Sequence, residues 1–260
     1  MADTTALQQR TMEWRKARLG KLTSSEISVL MKDHKEAMTE EELAAYKAAN
    51  PKSRVTTKTV PFSDATFTYL NRKVMEHFMP VNSTDTYSQN CIDEYIELHS
   101  QESMATRYGS DMESVAREKY AETMGYEVYE TGFAPYEKFP RLVGGSPDGI
   151  IRQENGIIEI KCPFTLEKHL QHLMYETQYD LHDNEEEYYW QCVANMLFTD
   201  SDFCDFVSYC PYVSKSKQLK VLRVHRVEAD IYHLSERISL AVQYMKEKID
   251  SIKNVSTIIC

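Results

Sequence analysis

The stretch Asn155-Gly156-Ile157-Ile158-Glu159-Ile160-Lys161 constrains the fold of this chain more than any other. Side chains on a strand alternate between faces with period two. Ile158 and Ile160 therefore share an apolar face, and Glu159 and Lys161 share the other. A carboxylate and an ammonium at the end of a buried strand are unusual, because charged groups stay outside unless paired or used. Asn155-Gly156 is a hairpin-turn dipeptide, since both central positions of a type I′ turn need φ > 0. It predicts an antiparallel meander of short strands over 126–133, 141–145, 149–152 and 157–161.

The surrounding periodicity is helical. A short helix is expected over 10–19, stopped by Gly20. Thr23-Ser24-Ser25-Glu26 offers hydroxyl caps for a second helix carrying Ile27, Leu30 and Met31. A third runs from Thr39 to about 49. Residues 50–61 read as a polar, Pro-bounded loop, 62–78 as helix, and 80–90 as a mobile loop rich in Asn, Ser, Thr and Asp. A long helix follows over 102–124, closed by Gly125. Beyond the meander come helices at 166–175 and 185–198, strands at 202–209 and 218–226, and a terminal amphipathic helix over 228–252. The order implies a mixed α/β core with a helical N-terminal elaboration.

Composition narrows the class. The 260 residues are 42% hydrophobic, enough for one large domain or one and a half. No apolar run reaches the roughly 18–20 residues of a membrane span, and the first ten residues lack the apolar stretch of a secretory signal. A soluble, intracellular chain with no membrane partner is expected. Cysteines stand at 91, 162, 192, 204, 210 and 260, with no Cys-x-x-Cys pair. That spacing argues against zinc ribbon, thioredoxin-like and iron–sulfur readings and leaves mostly buried, reduced thiols. The net charge of −10 speaks mildly against a nucleic-acid partner, but the distribution does not. Three stretches are basic: Arg10 to Lys21, residues 47–73, and residues 213–227, while acid concentrates at 183–187. Such segregation can give an acidic protein a local positive surface.

Gly145-Ser146-Pro147-Asp148-Gly149 precedes the Glu-Ile-Lys triplet. Pro147 and Gly149 interrupt the ladder around Asp148 and can turn its carboxylate towards Glu159 across the hairpin. Two carboxylates so placed are hard-oxygen ligands for Mg²⁺. Such an ion polarises a phosphodiester and lowers the pKa of a bound water. Taken singly, Ser-Pro-Asp-Gly is also an ordinary turn and Glu-Ile-Lys an ordinary half-exposed strand. His169 and His172 stand three apart with no third ligand at a supporting spacing, and are expected to be a surface pair. No Walker-type Gly-rich loop is present, which argues against an ATP-driven activity.

The run Gly-Ser-Pro-Asp-Gly-Ile…Ile-Glu-Ile-Lys-Cys-Pro-Phe-Thr resembles the core of the phage lambda exonuclease/YqaJ recombinase family, within the PD-(D/E)xK nuclease superfamily. Arg18-Leu19-Gly20-Lys21-Leu22-Thr23-Ser24-Ser25 resembles that family's N-terminal signature. Tyr108-Gly109-x-x-x-Glu113 resembles its aromatic-Gly-x-x-x-Glu helix. Tyr188-Tyr189-Trp190-Gln191 and Asp205 to Pro211 resemble its Gln helix and following strand. The four motifs occur in the family's order across 14–211. Residues 32–100 and the terminal helix carry no matching motif.

The resemblance implies a PD-(D/E)xK restriction-endonuclease-like α/β core with a mixed central sheet flanked by helices. It implies one nuclease domain over 1–260, with a mainly helical part at 1–100, the catalytic core at 101–227 and a C-terminal helix at 228–260. By the same likeness Asp148 and Glu159 bind catalytic Mg²⁺, with Mn²⁺ as a substitute and the carbonyl of Ile160 as a further ligand. Glu113 reaches the metal directly or through water. Lys161 orients or deprotonates the attacking water, and Gln191 positions that water or Lys161. Arg18, Ser25 and Ser146 contact a 5′-phosphate, and from the residues alone a surface pairing of Arg18 with Glu13 or Glu26 is an equal alternative. Ser25 is expected at a helix N-terminus with free N–H groups.

Two departures stand out. Val193 occupies the place of a second family Gln, and Lys168 stands one residue beyond the place of an Arg near the DNA end. The implied function is Mg²⁺-dependent 5′ to 3′ resection of double-stranded DNA ends, leaving 3′ overhangs for a separate single-strand annealing protein. A homotrimer and a cytoplasmic, phage- or prophage-encoded setting are implied with it. A PD-(D/E)xK endonuclease and a non-catalytic DNA-end-binding module are the alternatives.

Overall fold

A computed structural model of the chain describes residues 9–99, 103–253 and 255. Cys260, residues 1–8 and the expected helix start at Glu102 lie outside the described residues. The elements in chain order are α1 (Met12–Arg18), β1 (Leu22–Thr23), a 3₁₀ helix (Ser24–Leu30), β2 (His34–Ala37), α2 (Glu40–Ala49), β3 (Thr57–Val60), α3 (Asp64–His77), α4 (Thr86–His99) and α5 (Met104–Met124). There follow β4 (Val128–Tyr129), β5 (Ala134–Pro135), β6 (Val143–Gly145), β7 (Gly149–Ile151), β8 (Gly156–Lys161), α6 (Leu166–Leu173), α7 (Gln178–Asn184), α8 (Glu186–Thr199), β9 (Phe203–Tyr209), β10 (Leu219–His225) and α9 (Glu228–Lys253).

The central sheet has five strands in the order β10-β9-β8-β7-β4. β8 and β9 run parallel, and the other pairs are antiparallel. A parallel pair needs a crossover, and residues 166–199, carrying α6, α7 and α8, supply it. Each sheet face has its own core. Ile158, Ile160, Phe203 and Val207 pack with Ala116 and Tyr120 of α5. Ile157, Cys204, Phe206 and Leu222 pack with α8 and α9. The terminal helix is tied to the N-terminal part by buried Arg237, which donates to the carbonyls of Leu30 (2.5 Å), Lys32 (3.0 Å) and Pro61 and to Asp33 (2.8 Å).

Several expectations are corrected. Strand 143–145 leaves the meander and forms a second sheet, β1-β6-β5, with β1 parallel to β6. The Asn155-Gly156 turn is not type I′, since neither residue has positive φ. Gly156 is instead the first residue of β8, and a Cβ there would lie 2.2 Å from the Phe203 ring. The glycine is required for close approach of two strands. Asn155 serves the next connection, donating from Nδ2 to the Asp200 carbonyl at 2.9 Å. The loop expected over 50–61 contains β3, paired antiparallel to β2 from His34↔Val60 to Ala37↔Thr57. The loop expected over 80–90 already carries the start of α4, which buries only Ile92 and Ile96. The extra helix α7 starts at a capping box of Thr177 and Asp180.

The helix after Thr23 is a seven-residue 3₁₀ helix with no side-chain cap from Thr23. Thr23 lies in a strand, and its hydroxyl donates to Glu26 at 3.1 Å. Ser25 therefore stands in the first turn of a 3₁₀ helix rather than of an α-helix. The five described cysteines are unpaired, and all but Cys91 are buried.

Candidate active site

β7 and β8 set the centre. Asp148 stands at the bend before β7, where its backbone N–H donates to the Ile158 carbonyl at 3.0 Å. Its Oδ2 accepts the Ile160 N–H at 2.6 Å, so the carboxylate is turned onto β8 as the Pro-Asp-Gly bend predicts. Glu159 and Lys161 emerge on the same face of β8, and Lys161 Nζ lies 2.7 Å from Glu159 Oε1.

Helix α8 covers that face. Tyr188, Gln191 and Asn195 fall at i, i+3 and i+7, one stripe of a helix. Gln191 Oε1 accepts from Lys161 Nζ at 3.1 Å, and the ammonium lies 4.6 Å from the centre of the Tyr188 ring. Asn195 Nδ2 donates to Glu159 Oε2 at 3.1 Å. Asn195 is fully buried, and a Cβ on Gly145 would stand 2.4 Å from its Oδ1. The glycine of the Gly-Ser-Pro-Asp-Gly run is thus the space in which this amide sits. Val193, at the expected second Gln position, points into the core instead.

Helix α5 brings Glu113 from the other side. Its Oε1 accepts from Arg117 at 2.8 Å, and its Oε2 pairs with Arg10. Arg117 also donates from Nε to the backbone carbonyl of Asp148 at 2.9 Å, locking α5 to the bend. Asn195 and Arg117 are not singled out by the sequence, and Arg10 enters there only as the start of a basic stretch. The helical stripe with Gln191 is the one signal that could have found Asn195.

Electrostatics mark the site as strained by like charge. Burial, and then the Asp148 carboxylate, push Glu159 up to about 8 and Glu113 up to about 7. Burial also raises Asp148, against Lys161 and the Ile160 N–H. Burial alone would lower Lys161, but Glu159 and Asp148 outweigh it and hold the ammonium protonated. Burial, Glu113 and Asp148 push the nearby Cys162 thiol up to about 12, which removes it as a nucleophile at neutral pH.

Among the described residues no three acidic, His or Cys side chains stand close enough together to cage an ion. Glu113 is drawn to Arg10 and Arg117 instead, so the carboxylate set is not a preformed cage. The donor chemistry still suits a hard divalent cation. The candidates are all oxygen, and burial together with the neighbouring Asp148 carboxylate raises Glu159 and Glu113 in the empty site.

A cavity of about 860 Å³ opens beside the end of β8. Its cations are Arg10, Arg15, Arg18, Arg72, Lys161 and Lys168, against Glu26, Glu76 and Glu113. That balance favours a polyanion. The N-terminal basic stretch supplies half of those cations. Much of the positive charge elsewhere is spent internally, as Arg223 is on Asp205 and Lys73 on Glu26. Arg18 donates to Ser25 Oγ at 2.7 Å and Thr23 Oγ1 at 3.2 Å, with its guanidinium 4.4 Å from the centre of the Trp14 ring. Trp14 Nε1 donates to buried Ser146 Oγ at 3.0 Å. The three expected phosphate contacts are therefore joined through Trp14.

One surface expectation fails. His169 and His172 are each about 1% exposed and share a bond to Ser208. Glu185 turns inward from the acidic run to pair with Lys168 and His172. The crossover packs this face of α6 onto β9, which short-range periodicity does not reveal.

A family model for the YqaJ-like viral recombinase domain matches residues 13–202. No curated protein matches the chain. Among solved structures, an alkaline exonuclease from Laribacter hongkongensis superimposes with a TM-score of 0.65 at 23% identity, over 94% of this chain and 96% of that one. The same exonuclease in complex with dAMP gives the same figures. A phage-related exonuclease from Haemophilus somnus 129PT superimposes with a TM-score of 0.57 at 16% identity, over 89% of this chain and 96% of that one. These likenesses are of fold, and they make the mixed sheet with its flanking helices a core of the PD-(D/E)xK type.

Proposed function

The chain belongs to the YqaJ-like viral recombinase family, and from that membership we propose that it is a Mg²⁺-dependent exodeoxyribonuclease resecting double-stranded DNA ends 5′ to 3′. The observation that carries the reading is Lys161, held 2.7 Å from Glu159 and 3.1 Å from Gln191 beside the Asp148 bend. Phosphodiester hydrolysis needs charge neutralisation and an in-line water more than covalent chemistry. A carboxylate–lysine strand end facing a cationic cavity supports both.

Asp148, Glu159, the Ile160 carbonyl and Glu113 would hold the cation, Mg²⁺ or in its place Mn²⁺. When bound, it supplies Lewis-acid polarisation of the scissile phosphate and offsets the carboxylate charge. Lys161 donates hydrogen bonds to the attacking water and to the phosphate oxygens. Gln191 and the Tyr188 ring fix the ammonium in place. Asn195 fixes the Glu159 carboxylate, and Arg117 fixes the bend that carries Asp148. Arg18, Ser25 and Ser146 receive the 5′-phosphate, with the guanidinium gripping two oxygens at once.

The dAMP bound to the Laribacter exonuclease is a nucleoside monophosphate, the product class such a reaction releases. The whole chain is read as one nuclease domain, acting in the cytoplasm as a homotrimer and handing a 3′ single strand to an annealing protein. Among the described residues no helix is long and apolar enough to cross a membrane.

Incubation with Mg²⁺ and either linear or closed-circular duplex DNA tests the activity. Linear DNA should disappear from its 5′ ends while circles survive. Cutting of circles would favour the endonuclease alternative, and binding without cutting the non-catalytic one. Sedimentation of the pure protein at three times the monomer mass checks the assembly.

A further inference from the structure

Helix α6 is built with its polar side inward. Leu166 and Leu170 face solvent, while His169 and His172 lie beneath. All four ring nitrogens have a partner. His169 Nε2 is 2.8 Å from the Lys217 carbonyl, and its Nδ1 is 2.9 Å from Ser208 Oγ. His172 Nδ1 is 2.8 Å from the same Oγ, and its Nε2 is 3.2 Å from Glu185 Oε1.

Hydrogen counting then limits the protonation state. A carbonyl and a carboxylate only accept, so both Nε2 atoms carry protons. Two neutral rings would leave both Nδ1 atoms bare, facing one hydroxyl with a single proton. One of the two contacts would then set lone pair against lone pair. A third N–H closes the chain, because Ser208 accepts from one ring and donates to the other. A fourth would leave the Ser208 proton without a use and set two buried imidazolium cations against one carboxylate.

We infer that His169, Ser208 and His172 share one imidazolium charge that anchors Glu185, and that Glu185 is thereby a positioning residue holding Lys168 on the wall of the catalytic cavity. The groups facing the pair are Glu185 from the start of α8, Lys168 on α6, the Tyr175 hydroxyl, 3.4 Å from Glu185, and the Tyr188 ring, 6.4 Å from the His172 ring. From β9 come Ser208 and the apolar Phe206. Glu185 is thus the one carboxylate among them, and it meets a cation on each side. Lys168 lines the same cavity as Lys161. A free lysine stem loses rotamer freedom when it grips a phosphate, and one already held by Glu185 has less to lose.

The role of Lys168 rests on the proposed nuclease reading, whereas the shared proton does not. Nitrogen NMR of the full chain with labelled histidine, assigned with His172→Gln, reads the proton directly. At pH 7.5 the pair should show three protonated ring nitrogens, and two neutral rings would overturn the inference. Steady-state digestion of a 5′-phosphorylated duplex reads the positioning. Glu185→Gln should raise KM about two- to tenfold, from the ordering cost of one long side chain, with a smaller change in kcat, and should lose the imidazolium signal. Lys168→Met, at a partly exposed side chain that leaves the fold intact, should reproduce the KM rise while keeping the signal. An unchanged KM in Lys168→Met would overturn the positioning role. Failure of the unmutated protein to cut DNA would instead overturn the nuclease reading and leave the NMR result to decide the proton.

Discussion

Glu159 on β8 and Asp205 on β9 are two buried carboxylates on neighbouring strands, but they live in opposite environments. Ile158 is the partner of Asp205 in the parallel register, so Asp205 faces α5 and Glu159 faces α8. Asp205 takes two bonds from Arg223, at 2.8 and 2.9 Å, and one from the Tyr120 hydroxyl at 2.6 Å. The Arg223 guanidinium lies over the Phe203 ring, 3.7 Å from its centre. Arg223 also reaches Glu154 at 3.7 Å, and the charge of Asp205 is fully answered. Glu159 shares its lysine with Gln191, and burial together with a second carboxylate, Asp148, raises it to about 8. Burial alone does not distinguish a working carboxylate from a structural one. The neighbouring like charge and the cationic cavity beside it do.

The largest effect that would break the comparison is catalytic. Lys161→Ala should cut turnover by about 10³-fold or more, the scale of losing one preorganised donor in a water-poor site. DNA binding measured by fluorescence anisotropy should stay nearly intact, because one charge is a small part of a many-contact grip. Asp148→Ala should also abolish the calorimetric signal of Mg²⁺ binding. Near-normal turnover in either variant would make the Glu159 side as structural as the Asp205 side.

The second effect is on stability. Arg223→Ala leaves Asp205 buried and unpaired, which should cost about 3 kcal/mol in urea denaturation and leave kcat per folded molecule unchanged. A loss below about 1 kcal/mol would mean that Tyr120 alone satisfies the carboxylate.

The third is a pH signature. Glu159 has a folded value raised from 4.5 to about 8, so between those limits the folded state binds more protons than the unfolded one. Its contribution is present below 4.5 and lost as pH rises towards 8. In chelator the melting temperature should therefore fall over that window, by at most about 1.4 kcal/mol of stability per pH unit for one proton. Mg²⁺ should restore more stability at pH 8 than at pH 6, because it binds the ionised form. A metal effect independent of pH would remove Glu159 from the ligand set.

The smallest effect compares two arginines. Arg223 is committed to a carboxylate, whereas Arg18 is bonded to the Thr23 and Ser25 hydroxyls beside the Trp14 ring. Arg18→Ala should erase a preference of about tenfold for 5′-phosphorylated over 5′-hydroxyl ends, the scale of one charge-assisted contact. Equal rates on both ends with the unmutated protein would remove the phosphate pocket and leave the metal site alone.

Periodicity located most of this molecule. Strand β8, the long helix α5, the terminal helix α9 and the shared face of Glu159 and Lys161 follow from repeats of two and about 3.6 residues, which depend only on near neighbours. The Pro-Asp-Gly bend draws attention to Asp148, and family likeness in four short motifs adds Glu113 and Gln191. A lone Asp in Phe-Cys-Asp-Phe-Val looks in sequence like a lone Glu in Ile-Ile-Glu-Ile-Lys. Their difference comes from Arg223 and Tyr120 on one face of the sheet and Asp148 on the other.

The features that escaped sequence reading share one cause. Asn195 in the space left by Gly145, Arg117 on the carbonyl of Asp148, and Glu185 beneath α6 all join residues that only the β8–β9 crossover or the packing of α5 brings together. Strand pairing of β2 with β3, and the departure of β6 from the meander, likewise depend on partners roughly 20 or more residues away. Hydrophobic and turn patterns set which face of an element is buried. Which polar groups then meet in that interior is decided by the register and crossing of distant elements, because a buried donor or acceptor takes whichever partner the packing puts within reach.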